Sequence, residues 1–291
     1  MEALQTLQTL NVIGAGRVGQ TLAHRWRAQR VFAVQQVLTR SPASASDACA
    51  FIGAGQPIAS LHDLRAADVW MLAVPDAALA QAATDLAGHA QATGLPPAIV
   101  FHCSGALTAA HLAPLAAQGW QVASAHCILS FATPATAVAQ FTGTACALEG
   151  VANACATLRD AFTAIGAHCF DVASEHKVLY HAAAVFATNF LPVLQTVAED
   201  AWRATGVPEA LLPSLRSSLL SNAVANINRL GPAGALTGPA ARGDVAAIAR
   251  QAQVVTEWDP QAGAAYEALS ALALRIAKTT KDAIATQATT N

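Results

Sequence analysis

The sequence has few charged residues, with Asp, Glu, Lys and Arg making up 12% of its 291 residues. None of the four occurs between residues 86 and 148. Long charge-free segments indicate extensive burial, in a core or in a subunit interface. A chain of this length can form two domains. The formal net charge of −2 and the lack of a basic stripe argue against binding to nucleic acid.

The sequence also shows no pattern typical of a targeting signal or of a membrane-spanning helix. Residues 1–16 contain Glu2 but no Lys or Arg, unlike a secretory signal peptide, so we expect a cytoplasmic protein. The most hydrophobic helical stretch, 178–198, includes His181, Asn189 and Pro192. We interpret it as a buried helix and expect no membrane association.

The six cysteines form no Cys-x-x-Cys pair, which favours reduced thiols. Three of them follow a histidine, at 102–103, 126–127 and 168–169. Adjacent residues of a strand point to opposite faces, so each dipeptide could offer only one ligand to a given metal ion. We therefore predict that the protein has no metal site.

The sequence does contain a glycine-rich turn between the apolar run 10–13 and a helical stretch that continues over 20–30. Its residues are Gly14, Ala15, Gly16, Arg17, Val18 and Gly19. When such a turn lies between a strand and a helix, each glycine has a role. The first permits a tight turn, the second lets the backbone approach a pyrophosphate, and the third lets the helix pack on the strand. The turn predicts a dinucleotide site, the alternative being a structural turn in another α/β protein.

The second predicted strand, 31–38, ends at Thr39, Arg40 and Ser41, without the acid that usually binds the ribose hydroxyls of NAD. Arg40 could pair with a 2′-phosphate, and the two hydroxyls could donate to it. This favours NADP as the cofactor and disfavours FAD and S-adenosylmethionine. The alternative for Arg40 is a solvated loop charge.

Apolar runs alternating with helical stretches predict an α/β fold: a doubly wound parallel sheet over residues 1–172, followed by an all-helical domain over 173–291. Ligands of such sheets bind beyond the carboxyl ends of the strands. Four residues at these ends are predicted to bind the cofactor: Val74, Pro75, His102 and Ser104. His126, at the next strand end, is predicted to contact the substrate.

The first helix of the second domain carries polar residues on an otherwise apolar background. Lys177 and His181 are four apart, and Tyr180 and Asn189 flank their face. Lys177 or His181 could donate the proton that accompanies hydride transfer, Asn189 could orient the substrate, and Tyr180 could bind it. The alternative is that these groups satisfy hydrogen bonds at a domain interface.

A glycine- and proline-rich loop, 236–244, contains Arg242 before Asp244, a predicted helix N-cap. Arg242 could clamp a substrate carboxylate with two hydrogen bonds. It could equally hold the loop or a subunit contact.

Together these blocks resemble a family of Rossmann-like proteins with a C-terminal helical domain of unknown function. That family is similar to pyrroline-5-carboxylate reductase and the β-hydroxyacid and 6-phosphogluconate dehydrogenases. The resemblance implies NADP binding, hydride transfer, a 6-phosphogluconate-dehydrogenase-like helical domain that forms homodimers, and catalytic roles for Lys177 and Asn189.

The sequence thus predicts an NADP(H)-dependent oxidoreductase acting on a small carbonyl, imine or hydroxyacid in the cleft between its domains. The alternative is a non-catalytic NADP(H)-binding sensor. A sensor would not need ionisable groups such as Lys177 and His181 aimed at the nicotinamide.

Overall fold

The computed structural model describes the backbone of residues 7–290 and the side chains of residues 7–282. The chain divides into two compact units, the first running to Ala187 and the second beginning at Thr188. The predicted domain boundary after Val172 follows the last strand, whereas the contacts divide the chain one helix later. That helix stays with the sheet because Lys177 and Tyr180 bond to residues of the sheet and its loops.

An eight-stranded sheet with the order 3-2-1-4-5-6-7-8 forms the centre of the first unit. Its strands are β1 Gln8–Ile13, β2 Phe32–Leu38, β3 Gln56–Ile58, β4 Val69–Leu72, β5 Ile99–His102, β6 Gln121–Cys127, β7 Ala145–Gly150 and β8 His168–Asp171. Strands β1 to β6 are parallel, as the sequence predicts. The pairing of β6 with β7 is antiparallel, which needs no crossover between them, and β8 is parallel to β7.

Helices cover both faces of this sheet. They are α1 Arg17–Ala28, α2 Pro42–Ile52, α3 Asp76–Thr93, α4 Ala113–Ala116, α5 Pro134–Gln140, α6 Ala152–Ala164 and α7 Lys177–Ala184. On one face Trp26 packs edge-to-face against Phe101 and Phe162. On the other, Trp70 contacts Trp120. Burial on both faces explains why β4 is a continuous apolar run and why β5 is apolar up to His102.

Described residues of the second unit form helices only, as predicted. These are α8 Phe190–Ala204, α9 Leu212–Gly234, α10 Gly238–Arg242, α11 Val245–Trp258 and α12 Pro260–Thr290. A π-helical turn, Val185–Asn189, precedes α8. Gly231 interrupts α9 with a φ of 71°. Asp244 caps α11 by accepting a hydrogen bond from the Ala247 amide, which confirms its predicted role.

The expectation of a buried helix over 178–198 is wrong for the single chain. Val178 and Leu179 are 70% and 73% exposed, and Val193 is 56% exposed. The helical segment Ser174–Ala204 also has the length and composition of a membrane-crossing helix, with a mean hydropathy of 1.3 in its most apolar window. A low content of charge predicts that the apolar side chains of such a helix are buried. It does not predict that other residues of the same chain bury them.

Candidate functional site

The glycine-rich turn connects β1 to α1 with little space around its first and third glycines. Gly14 has a φ of +83°, and a Cβ there would lie 2.7 Å from the carbonyl oxygen of Ala73. A Cβ on Gly19 would lie 2.6 Å from the carbonyl oxygen of Gly14. Around Gly16, the N-cap of α1, the space is open, and no side chain caps the helix. This arrangement fits a pyrophosphate at the start of α1.

The remaining residues of the turn have different surroundings. Ala15 is buried and Val18 packs against the core. The exposed guanidinium of Arg17 donates from Nη1 to the carbonyl oxygens of Phe131 and Ala132, at 3.2 and 3.4 Å. Arg17 therefore ties the loop after β6 to the start of α1.

Three hydroxyl groups meet where β2 leads into α2, and we call them the hydroxyl cluster: Thr39, Ser41 and Ser44. The Ser44 Oγ lies 2.5 Å from Thr39 Oγ1 and 3.0 Å from Ser41 Oγ. Ser41 caps α2 by accepting a hydrogen bond from the Ser44 amide. Arg40 is exposed beside them. A cation and three hydroxyls at a helix N-terminus provide donors suited to a phosphate.

The loop after β5 binds its own polar side chains. Nε2 of the buried His102 donates to the carbonyl oxygen of Thr108 (3.0 Å), and its Nδ1 accepts from the Ser104 amide (3.2 Å). This pairing requires a neutral ring, and burial lowers the pKa of His102 to about 4. Ser104 Oγ donates to Asp76 at 2.9 Å. Both predicted cofactor ligands of this loop thus have partners within the protein.

Beyond β5 and β6 four residues form what we call the imidazole cluster: Gly105, His126, Tyr180 and His181. His126 Nδ1 lies 2.8 Å from the Tyr180 hydroxyl, and the His126 and His181 ring centroids are 5.5 Å apart. A Cβ on Gly105 would collide with His181 Nδ1 and lie 2.8 Å from His126 Nε2. Among the described residues, no partner bonds to the buried Nδ1 of His181.

Burial shifts the pKa of two members of this cluster, His126 and Tyr180. Burial is the largest cause that lowers the pKa of His126 to about 4, and the neighbouring His181 and Lys177 act in the same direction. Burial also raises the pKa of the Tyr180 hydroxyl. The cluster therefore offers a neutral imidazole and a neutral phenol as hydrogen-bonding groups.

Lys177, the first residue of α7, is 1% exposed. Its Nζ donates to the Ser104 carbonyl oxygen at 3.1 Å and to Ser124 Oγ at 2.6 Å. Ser124 Oγ in turn donates to Glu149 Oε2 at 2.9 Å. The predicted proton donor is thus held by hydrogen bonds within the first unit.

The other predicted site residues belong to different segments of the chain. Val74 and Pro75 follow β4 directly. Asn189 ends the π-helical turn, and Arg242, which is exposed, ends α10; both belong to the second unit. Within residues 7–282, no group of three or more His, Cys, Asp and Glu residues is arranged to hold a metal ion.

Sequence reasoning missed four residues that the structure places at these sites: Ser44, Gly105, Ser124 and Glu149. The partners of Gly105, Ser124 and Glu149 are distant in the chain, whereas Ser44 bonds to Thr39 and Ser41 within five positions. One available signal is the scarcity of lysine: Lys177 is the first lysine of the sequence, and Lys278 and Lys281 are the others.

Two family models match different parts of the chain. Residues 3–126 match the Rossmann-like domain family, and residues 144–273 match a domain of unknown function, DUF2520. Among proteins of curated function, none matches this chain in sequence.

Several solved structures share the fold. A Thermotoga maritima protein is 23% identical, with a TM-score of 0.73 and coverage of 94% of this chain and 99% of its own. A candidate NADP oxidoreductase of Bacteroides fragilis is 21% identical, with a TM-score of 0.69 and coverage of 92% and 98%. Pyrroline carboxylate reductase of Plasmodium falciparum, solved with NADP bound, is 12% identical, with a TM-score of 0.56 and coverage of 93% and 98%.

At these identities the likeness concerns the fold. It agrees with the α/β class that the sequence predicts, an eight-stranded and mostly parallel sheet followed by helices. The chain therefore joins a segment that matches the Rossmann-like domain family to a segment that matches DUF2520.

Proposed function

We propose that this protein is an NADP(H)-dependent oxidoreductase that transfers a hydride to or from a small carbonyl, imine or hydroxyacid. The observation that carries the proposal is the position of the imidazole cluster. It lies beyond the carboxyl ends of β5 and β6, at the sheet edge where the glycine-rich turn follows β1. Doubly wound sheets bind their cofactors and substrates beyond this edge.

The glycine-rich turn would hold the cofactor pyrophosphate, and the hydroxyl cluster with Arg40 would hold a 2′-phosphate. An acid that would bind the ribose hydroxyls of NAD is missing from residues 39–41 at the end of β2. Further support comes from the Bacteroides fragilis protein, which is described as an NADP oxidoreductase, and from the Plasmodium falciparum protein, which was solved with NADP bound. When bound, the nicotinamide ring supplies or accepts the hydride.

Hydride transfer to a carbonyl or imine also requires a proton at the oxygen or nitrogen. We assign His181 to this step first, because its Nδ1 is buried without a partner among the described residues. His126 and Tyr180 would bind the substrate through the ring Nε2 and the phenol hydroxyl. Three further residues remain proposed site residues: Lys177, Asn189 and Arg242. Lys177 would act while it keeps its hydrogen bonds to Ser104 and Ser124.

The proposal includes a cytoplasmic homodimer. All six cysteines are free, which suits a reducing compartment. Exposed apolar side chains on α7 and α8 suit a second copy of the chain as their cover.

The test uses NADPH carrying deuterium at C4 with a panel of small ketoacids, aldehydes and cyclic imines. We expect deuterium in at least one product, detected by mass spectrometry. His181→Leu should lower kcat by roughly 100-fold or more with NADPH affinity unchanged. His168→Leu, at an exposed position of β8, is the control.

A protein that binds NADPH but transfers deuterium to no compound of these classes would favour the alternative, a non-catalytic sensor. A cofactor complex in which the His181 and Lys177 side chains both lie more than about 10 Å from the nicotinamide C4 would remove their proposed roles.

A further inference from the structure

Lys177 stands out among the basic residues of this chain. Lysine occurs nowhere else before position 278, and the other basic side chains up to that point are arginines and histidines. At this buried position the chain has an amine, which can lose its proton, rather than a guanidinium, which stays charged.

The hydrogen bonds around Lys177 have a fixed direction. An ammonium can only donate, so Ser124 Oγ accepts from Lys177 Nζ. The Ser124 hydroxyl proton is then directed to Glu149 Oε2. Ser124 and Glu149 are register partners in the antiparallel pair β6–β7. A chain of two hydrogen bonds therefore joins a buried amine to a buried carboxylate.

Glu149 is itself held on both oxygens. Its Oε2 also accepts from the Ala109 amide at 2.8 Å, and its Oε1 accepts from Ser174 Oγ at 2.7 Å. Ser174 lies just before α7, and Ala109 follows the loop after β5. The carboxylate thus bonds to the two segments that Lys177 also joins.

Several charged or titratable groups face Lys177. Burial lowers the pKa of its amine, while Glu149 and Asp76 act in the opposite direction. Asp76 is exposed, whereas Glu149 is 8% exposed. The remaining groups are the neutral His102 and His126 and the thiols of Cys103 and Cys146. Glu149 is therefore the buried carboxylate of this set.

We infer that Glu149 is a positioning residue, which acts through Ser124 to keep the Lys177 ammonium on the carbonyl of Ser104. That carbonyl immediately precedes Gly105, so the contact fixes the backbone against which His126 and His181 pack. The consequence for catalysis rests on the proposed function, but the coupling of the three side chains does not.

The low number of lysines allows a direct test on the full chain. With ¹³Cε-labelled lysine the protein gives three lysine signals, which are followed by NMR from pH 6 to 10.5 without cofactor or substrate. The signal missing from Lys177→Arg assigns Lys177. We expect Glu149→Gln to raise the acid dissociation constant of Lys177 by roughly tenfold, because a buried ammonium loses its opposing charge. Ser124→Ala should shift it in the same direction by less.

Glu175→Gln is the matched control, since it removes an exposed carboxylate two residues from Lys177. It should leave the Lys177 titration unchanged, and the Lys278 and Lys281 signals should not move in any variant. An unchanged Lys177 signal in Glu149→Gln, or a shift as large in Glu175→Gln, would overturn the inference. If Glu149→Gln does not fold, Ser124→Ala decides alone, and an unchanged Lys177 titration in that variant would overturn the inference.

The NADPH affinity of the same samples is measured separately. Lack of NADPH binding by the wild-type protein would remove the proposed function, while the comparison of Lys177 titrations would still stand. Glu149→Gln should keep the wild-type affinity within about threefold, because Glu149 contacts neither the glycine-rich turn nor the hydroxyl cluster.

Discussion

Gly105 and His181 pack so closely that the position after Ser104 accepts no side chain: a Cβ on Gly105 would occupy the space of His181 Nδ1. Residue 105 is buried, and His126 Nε2 lies on the same side. The backbone of the β5 loop therefore fixes the position of both imidazoles.

Gly105→Ala should consequently displace the imidazoles and destabilise the protein by about 1–3 kcal/mol, the usual cost of overpacking. Urea unfolding measures this change. Gly88→Ala in α3 is the control, because a Cβ there meets no atom within 4 Å and alanine favours the helix. Equal stability of the two variants would contradict the described packing.

The hydroxyl cluster and Arg40 predict a preference for NADPH over NADH. Arg40→Ala should remove most of that preference, about 1–3 kcal/mol, because it deletes a charge-assisted hydrogen bond to the 2′-phosphate. Ser44→Ala should weaken NADPH binding and leave NADH binding unchanged, whereas Ser46→Ala, exposed on the same helix, should change neither. Nucleotide fluorescence titration measures the affinities of the wild-type protein and the three variants for both nucleotides. Equal affinities of the wild-type protein for the two nucleotides would exclude the predicted phosphate site.

Stability should fall as the pH is lowered from about 6.5 to about 4. Burial lowers the pKa of His102 from 6.5 to about 4, so in this window the unfolded chain binds more protons than the folded one. The full stability is present above the unfolded pKa, and His102 accounts for a loss of up to roughly 3 kcal/mol.

Urea unfolding at pH 7 and pH 4.5 measures the difference. His102→Gln should make it smaller, whereas His168→Gln, at an exposed position, should leave it as in the wild type. If the His102→Gln variant lost as much stability between pH 7 and pH 4.5 as the wild type does, His102 would not be the cause of the loss.

We expect a homodimer whose mass in light scattering is about twice the 29.7 kDa of the chain. Apolar side chains of α8, among them Val193 at 56% exposure, are more than a monomer normally leaves in water. Val193→Glu should shift the equilibrium toward monomers, and Gln195→Glu, a polar position on the same helix, should not. A wild-type protein that stays near 30 kDa at micromolar concentration would count against the dimer.

Much of the fold follows from local pattern. Three features depend on residues within a few positions of each other: the alternation of strands and helices along the chain, the glycine-rich turn, and the helix cap at Asp244. The antiparallel direction of β7 does not, because a strand's own residues do not specify which way its neighbour runs.

Predictions for the polar residues were less complete. The sequence singled out Lys177, His126, Tyr180 and His181 by chemical type, and the structure brings the last three together around Gly105. It did not indicate that the Lys177 amine donates hydrogen bonds to Ser104 and Ser124, since these partners lie 73 and 53 positions away.

The sequence by itself determined a glycine-rich turn between the first strand and the first helix of an α/β fold, because glycine conformation, helix capping and apolar periodicity act over short distances in the chain. Only the tertiary structure decided which polar groups meet. Ser124 and Glu149 are paired by strand register, and Lys177 reaches them because α7 packs on the same sheet. Such pairings depend on register and helix placement, which only the folded chain specifies.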